Sequence, residues 1–171
     1  MNELALRYVG RFATTRAKLR SYLARKISER GWEGASEPDF TQIADRFAEL
    51  GYVNDEAFAL AKSRSLSARG YGKRRLLDAL HAAGVNEDES VSARGLADEE
   101  AVVAALRFAK RRRFGPFAPS VEKQTTTREK ALAAMVRAGH GYRIAQAILA
   151  LDSANDANID QVLEKLTFNC A

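Results

Sequence analysis

The chain has little of what reactive or membrane chemistry requires. A single cysteine, Cys170, stands next to the C-terminus and has no partner for an internal disulfide. Two histidines, His81 and His140, are the only imidazoles in 171 residues. With one thiol they do not make up the ligand set of a Cys/His zinc site. No apolar run reaches the roughly 18 residues of a membrane span, and no basic-then-apolar leader opens the chain. The expectation is a soluble, cytoplasmic protein with no membrane contact. Catalytic signatures are missing too: there is no Gly-x-Ser-x-Gly, no His-Glu-x-x-His, no Asp-x-Asp calcium loop and no dinucleotide-binding glycine set. Carboxylates gather at helix starts rather than beside a lone His or Cys, so the chain reads as a non-enzyme without cofactor or metal.

What is present is apolar material, 46% of residues, enough for one small globular unit or two or three very small ones. The net charge of +5 is modest, but its placement is not uniform. Residues 1 to 30 carry +6 and residues 31 to 59 carry −6; residues 60 to 83 carry +5 and residues 84 to 106 carry −5; residues 107 to 143 carry +8 and residues 144 to 171 carry −3. A basic block followed by an acidic block, three times over, suggests a threefold internal repeat of roughly 50 residues.

Hydrophobic spacing is helical wherever it can be scored. Leu19, Tyr22, Leu23 and Ile27, then Ile43, Phe47 and Leu50, then Leu132, Met135 and Val136 follow it. So do Ile144, Ile148 and Leu151, and Ile159, Val162, Leu163 and Leu166. No stretch alternates as a strand does and no Asn-Gly or Asp-Gly hairpin turn occurs, so the fold class is all-α. Asp39 with Gln42 starts a helix over about 39 to 50 that Gly51 ends. Asn54 caps the next, with Asp55 and Glu56 at the positive end of its dipole, running to Gly70; Gly72 opens another that Gly84 closes. Residues 86 to 97 and the stretch from Gly115 to Gln124, with Pro116 and Pro119, read as loops, as does Gly31 to Pro38. The predicted division is three three-helix repeats over 1–54, 55–97 and 98–151, with a C-terminal helix or tail over 152–171.

The segment from Phe47 to Ala59 contains Leu50, Gly51 and Tyr52, then Asn54, Asp55 and Glu56, then Ala57, Phe58 and Ala59. About ten residues on come Arg69, Gly70, Tyr71 and Gly72. In order and spacing this resembles the RecX family. The likeness runs on through Lys73 to Gly84 and, more weakly, through Thr14 to Ile27 and Arg128 to Tyr142, so it covers roughly residues 5 to 150. The run Ala24 to Pro38 is longer than the corresponding run in the family's first repeat, and Gly115 to Gln124 interrupts the last. The resemblance implies an elongated, curved protein of tandem three-helix repeats that docks along the groove of the RecA filament on single-stranded DNA. It implies a modulator, most often an inhibitor, of recombinase, ATPase and co-protease activity, with a place in DNA repair, recombination and the SOS response.

Three cationic groups are candidate contacts for the RecA filament, and through phosphate for single-stranded DNA. Lys73, Arg74 and Arg75 open a helix after Gly70 and Gly72, where free N–H groups and the macrodipole attract anions; the plain alternative is a turn with a solvated face. Lys110, Arg111, Arg112 and Arg113 end a helix, which the dipole alone favours, yet four in succession wrap its circumference. Arg64 and Arg69 join them on the proposed contacting face. Arg16, Lys18, Arg20, Arg25 and Lys26, with Arg11, are weaker candidates, since such a set is more often an ordinary solvated face. Phe12, Phe47, Tyr52, Phe58 and Tyr71 read as core or helix-end packing rather than base-stacking groups. Rival readings are a sequence-nonspecific nucleic-acid binder and a helical scaffold for another acidic protein. Acidic segments in each block favour a partner groove of both charge signs. No oligomer is signalled, so a monomer is expected.

Overall fold

The computed structural model describes residues 1–34, 36, 38–118, 124–151, 160 and 162–164, with only the backbone for 124–127. Among these the structure is all-α: α1 (Asn2–Val9), α2 (Arg16–Arg30), α3 (Phe40–Glu49), α4 (Asp55–Ala68), α5 (Lys73–His81), α6 (Val91–Glu99), α7 (Ala101–Arg112), α8 (Gln124–Arg137) and α9 (Tyr142–Leu149). Single 3-10 turns occupy Asp88–Ser90 and Gly115–Phe117. None of the described helices is long and apolar enough to cross a membrane.

Side-chain oxygens start the early helices. Thr15 accepts from the Lys18 amide at 3.1 Å, Asp39 from Thr41 and Gln42 at 2.9 and 3.0 Å, and Asn54 from Ala57 at 2.8 Å. Each occupies an amide that the helix itself leaves without a partner. Helix ends repeat one device. Gly51, Gly70, Gly84 and Gly139 all have positive φ, and at each the glycine N–H and the following N–H turn back onto carbonyls of the last turn. In the first case Gly51 N–H reaches Ala48 and Tyr52 N–H reaches Phe47. This is the Schellman closure, and it stops a helix within two residues so that the next can begin. Arg113, at φ 55 and ψ 49, makes the same closure on α7 without a glycine.

The chain divides into two compact units. The first comprises residues 1–61 and 79–92, the second residues 62–78 and 93–171. In the first, Leu19 and Leu23 of α2 are fully buried with Ala5, Ala44, Phe47 and Val53. The second is built round Met135 and Ile148, packed with Phe108 and Val162 and with alanines of α7, α8 and α9 that let the helices approach closely. Leu50 and Leu163, from the predicted apolar stripes, are instead exposed, while Ile159 and Leu166 lie outside the described residues.

The expected loop over 86 to 97 is wrong in its larger part, because residues 91–99 are helical. Ser and Gly content suggested a loop, but Ala93 and Ala97, four apart, are the buried positions. The Ser90 hydroxyl donates to the Glu87 carbonyl at 2.7 Å in the turn that leads in, and the buried Ser63 hydroxyl donates to the Ala93 carbonyl at 2.9 Å. Gly95 faces open space, so its helix-weakening cost of about 1 kcal/mol is met by packing of the opposite face. The Gly115 to Gln124 stretch begins with the turn around Pro116; residues 119–123 lie outside the described residues, as do most of 152–171 and Cys170.

Candidate functional site

Gly70, Tyr71 and Gly72 join α4 to α5, and their geometry explains the glycines. A Cβ on Gly72 would lie 2.2 Å from the Gly139 carbonyl oxygen, so two backbones meet here with no room for a side chain. The Gly72 amide donates to Ala138 at 3.0 Å and the Arg74 amide to Gly139 at 3.2 Å. The start of α5 therefore takes carbonyls from the end of α8, opposite ends of two helix dipoles. The close backbone approach that the glycines permit is therefore made within the chain, and these two amides are already occupied. His140 completes the joint. It is buried, its ring lies 5.4 Å from that of Phe108, and Nε2 donates to the Gly70 carbonyl at 3.1 Å. Burial pulls its pKa below the ordinary value, with the Gly70 hydrogen bond acting in the opposite sense.

Around this joint the second unit displays its cations. Arg69 and Arg111 lie 5.2 and 5.8 Å from the centre of the half-buried Tyr71 ring. Arg111 also lies 5.4 Å from the Phe108 ring and donates to the Arg69 carbonyl. Arg107, one turn earlier on α7, donates to the Ser67 carbonyl at 3.4 Å. Two arginines at i and i+4 thus reach carbonyls at the C-terminal end of α4, where cations are favoured. Arg107 was not among the candidates; its spacing to Arg111 is the signal that marks it. Tyr71 packs against the core of the second unit, as expected, and presents the rest of its ring to guanidinium groups.

The basic run is divided as its wrapped circumference implied. Arg111 turns to α4, Arg112 lies 5.7 Å from the Phe114 ring, and Lys110 and Arg113 are exposed. Lys73 pairs with Asp98 at 2.6 Å. Arg64, Arg74, Arg75 and Lys110 are exposed and have no ion pair among the described residues.

The cations of the first unit are more committed. Arg16 holds Asp55 at 3.5 Å, Asp45 at 3.8 Å and Glu89, and its amide donates to Asp55 at 3.0 Å. Lys18 lies 4.6 Å from the Phe58 ring. Lys26 and Arg25 converge on Glu29 at 2.5 and 3.7 Å, and the Lys26 hydrogen bond holds the Glu29 carboxyl below its usual range. Arg20 is exposed and has no such partner among the described residues. Of the aromatics, Phe47 is core, and Tyr52 packs on it at 5.6 Å as a helix-end staple. Phe12 departs from the core expectation, being 59% exposed. Among the described residues no group of His, Cys, Asp and Glu is arranged to hold a metal.

The described residues define an all-helical protein of repeated helix clusters that carries exposed cations. Over 158 residues it is 30% identical to the regulatory protein RecX of Myxococcus xanthus, a match covering 87% of this chain and 83% of that protein. The chain belongs to the RecX family, whose members are regulators and not enzymes. It is 41% identical over 101 residues to the regulatory protein RecX of Mycobacterium sp. (strain KMS), and there spans 52% of that protein's length. The fold is similar to the crystal structure of RecX from Lactobacillus salivarius, with a TM-score of 0.60 over 98% of this chain and 94% of that one at 17% identity. No family model matches the chain.

Proposed function

We propose that this protein binds the filament RecA forms on single-stranded DNA and restrains its recombinase, ATPase and co-protease activities, acting as a monomer in the cytoplasm. The observation that carries the proposal is the likeness to a regulatory RecX protein along most of both chains. Arg64, Arg69, Lys73, Arg74, Arg75 and Lys110 to Arg113 are the proposed contacts. The exposure of all but the half-buried Lys73 supports this, and the Lys73 pair with Asp98 is of the solvated kind worth about 0.2 to 1 kcal/mol, so a partner carboxylate or phosphate can replace it. The three-repeat division is part of the same proposal, supported by the recurrent helix closure and the alternating charge.

The test is RecA ATPase activity on single-stranded DNA with increasing amounts of this protein, beside its binding to bare DNA over a salt series. Inhibition well below one chain per RecA, with weak binding to bare DNA, is the expected result. Substituting Arg74, Arg75 and Lys110 by Gln should then shift the inhibition curve to higher protein concentration. No effect on RecA together with tight, salt-sensitive DNA binding would replace the proposal with a direct nucleic-acid binder.

A further inference from the structure

The first unit carries an aromatic and cationic surface, built on Tyr8 and Tyr22 where they pack against the core, that the proposed filament contacts do not use. Tyr8 of α1 stacks on Tyr22 of α2, with ring centres 4.1 Å apart and planes 10° from parallel. Phe12 continues the row at 5.6 Å from Tyr8, tilted by 48°. With Arg7, Arg11 and Arg25 these rings line an open cleft of about 360 Å³. Phe12 has no place in the core, although burying a phenylalanine is worth roughly 1.5 to 3 kcal/mol. Its exposed face lies next in sequence to the exposed Arg11.

We infer that this cleft is a stacking site for a single-stranded nucleic acid, taking an unstacked base against Phe12 with Arg11, Arg7 and Arg25 on the flanking phosphates. The chemistry matches this occupant: single-strand grooves combine cations that follow the backbone with rings on which any base can stack, and a lining with no carboxylate is complementary to a run of phosphates. Every charged group lining the cleft is a guanidinium. Arg7 and Arg25 are lightly held, by Glu3 at 3.4 Å and Glu29 at 3.7 Å, and all four of these side chains are largely or half exposed. Such pairs contribute about 0.2 to 1 kcal/mol, and a phosphate can exchange with the carboxylate. Arg25 also lies 5.8 Å from the Tyr22 ring, so the platform is already cationic on one side. The inference goes beyond the filament proposal and does not depend on it, since it concerns other residues and requires no RecA.

The experiment measures fluorescence anisotropy of a short oligothymidine, and of an abasic oligomer of equal length, titrated with the full chain in the absence of RecA. Stacking predicts that the oligothymidine binds about tenfold more tightly than the abasic strand. Phe12→Ala should abolish that difference and Phe12→Trp should keep it, while Arg11→Gln should weaken binding to both strands. Unchanged helix content and melting midpoint certify the Phe12 variants as folded. Equal affinity of the native chain for the two strands, or a difference that survives in Phe12→Ala, overturns the inference. So does a Phe12→Ala chain that binds both strands normally but inhibits RecA less, which would assign the surface to a protein partner.

Discussion

His140 shows how much a single residue can depend on its surroundings. By sequence it lies between two glycines and reads as a helix-end residue rather than a ligand, and that is its place: it follows Gly139 in the turn that closes α8. Its burial and its bond to Gly70, seventy positions away, were not legible, because nothing local marks which strand of backbone will cover a turn. The depressed pKa has a consequence for stability. The unfolded chain binds the proton more readily than the folded one, so the contribution of the neutral ring is complete above about pH 6.5 and is lost as pH falls through the lowered folded value. Urea midpoints at about pH 7.5 and about pH 5 should therefore differ more in the native protein than in His140→Gln, which keeps a donor for Gly70 but has no proton to gain. Equal pH dependence in the two proteins would show that the ring does not titrate in this way.

Elements were the most legible level. The bounds of α3, α4 and α5 follow from Asp39, Asn54, Gly51, Gly70 and Gly84, since caps and left-handed turns are local chemistry that acts wherever those residues occur. Helix α6 was missed because its buried face is made of Ala93 and Ala97, which carry too little hydrophobic contrast to give a period. Arg113 marks the other gap: its left-handed backbone does what glycine does elsewhere, at a steric cost of about 1 kcal/mol. Arg113→Gly should raise stability by about 0.5 kcal/mol, the relief of strain being partly offset by the freer unfolded chain. Gly70→Ala should do the opposite and lose about 2 kcal/mol, because a Cβ there meets the Phe108 amide at 2.9 Å as well as the positive φ. Thermal or urea unfolding of the two variants beside the native chain measures both.

At the level of the whole molecule, charge is the property whose meaning changed most between sequence and structure. Acidic blocks suggested a partner groove of both signs, but several of those acids serve the chain's own cations. Asp45, Asp55 and Glu89 come from three separate segments of the first unit to Arg16, and the Asp55 side chain is almost fully buried there. Arg16 is thereby an internal tie in this structure, while Arg20 on the same helix is a surface cation. Arg16→Met should lower the unfolding free energy by about 2 kcal/mol, since it strands a buried carboxylate. Arg20→Met should change it by less than about 0.5 kcal/mol, and urea denaturation separates the two outcomes.

Composition, spacing and caps were sufficient for an all-α chain and for the limits of α3, α4 and α5, because they depend on interactions within a few residues; the order of the motifs around Gly51 and Gly70 carried the likeness to RecX. Only the tertiary structure could decide which cations remain available and which are consumed. A guanidinium is the same in Arg16 as in Arg74, and what separates them is whether folding brings carboxylates from distant positions within reach. The same holds for aromatic rings: Phe47 and Phe12 have equal transfer free energies, and only the arrangement of α1, α2 and α3 leaves one covered and the other facing water.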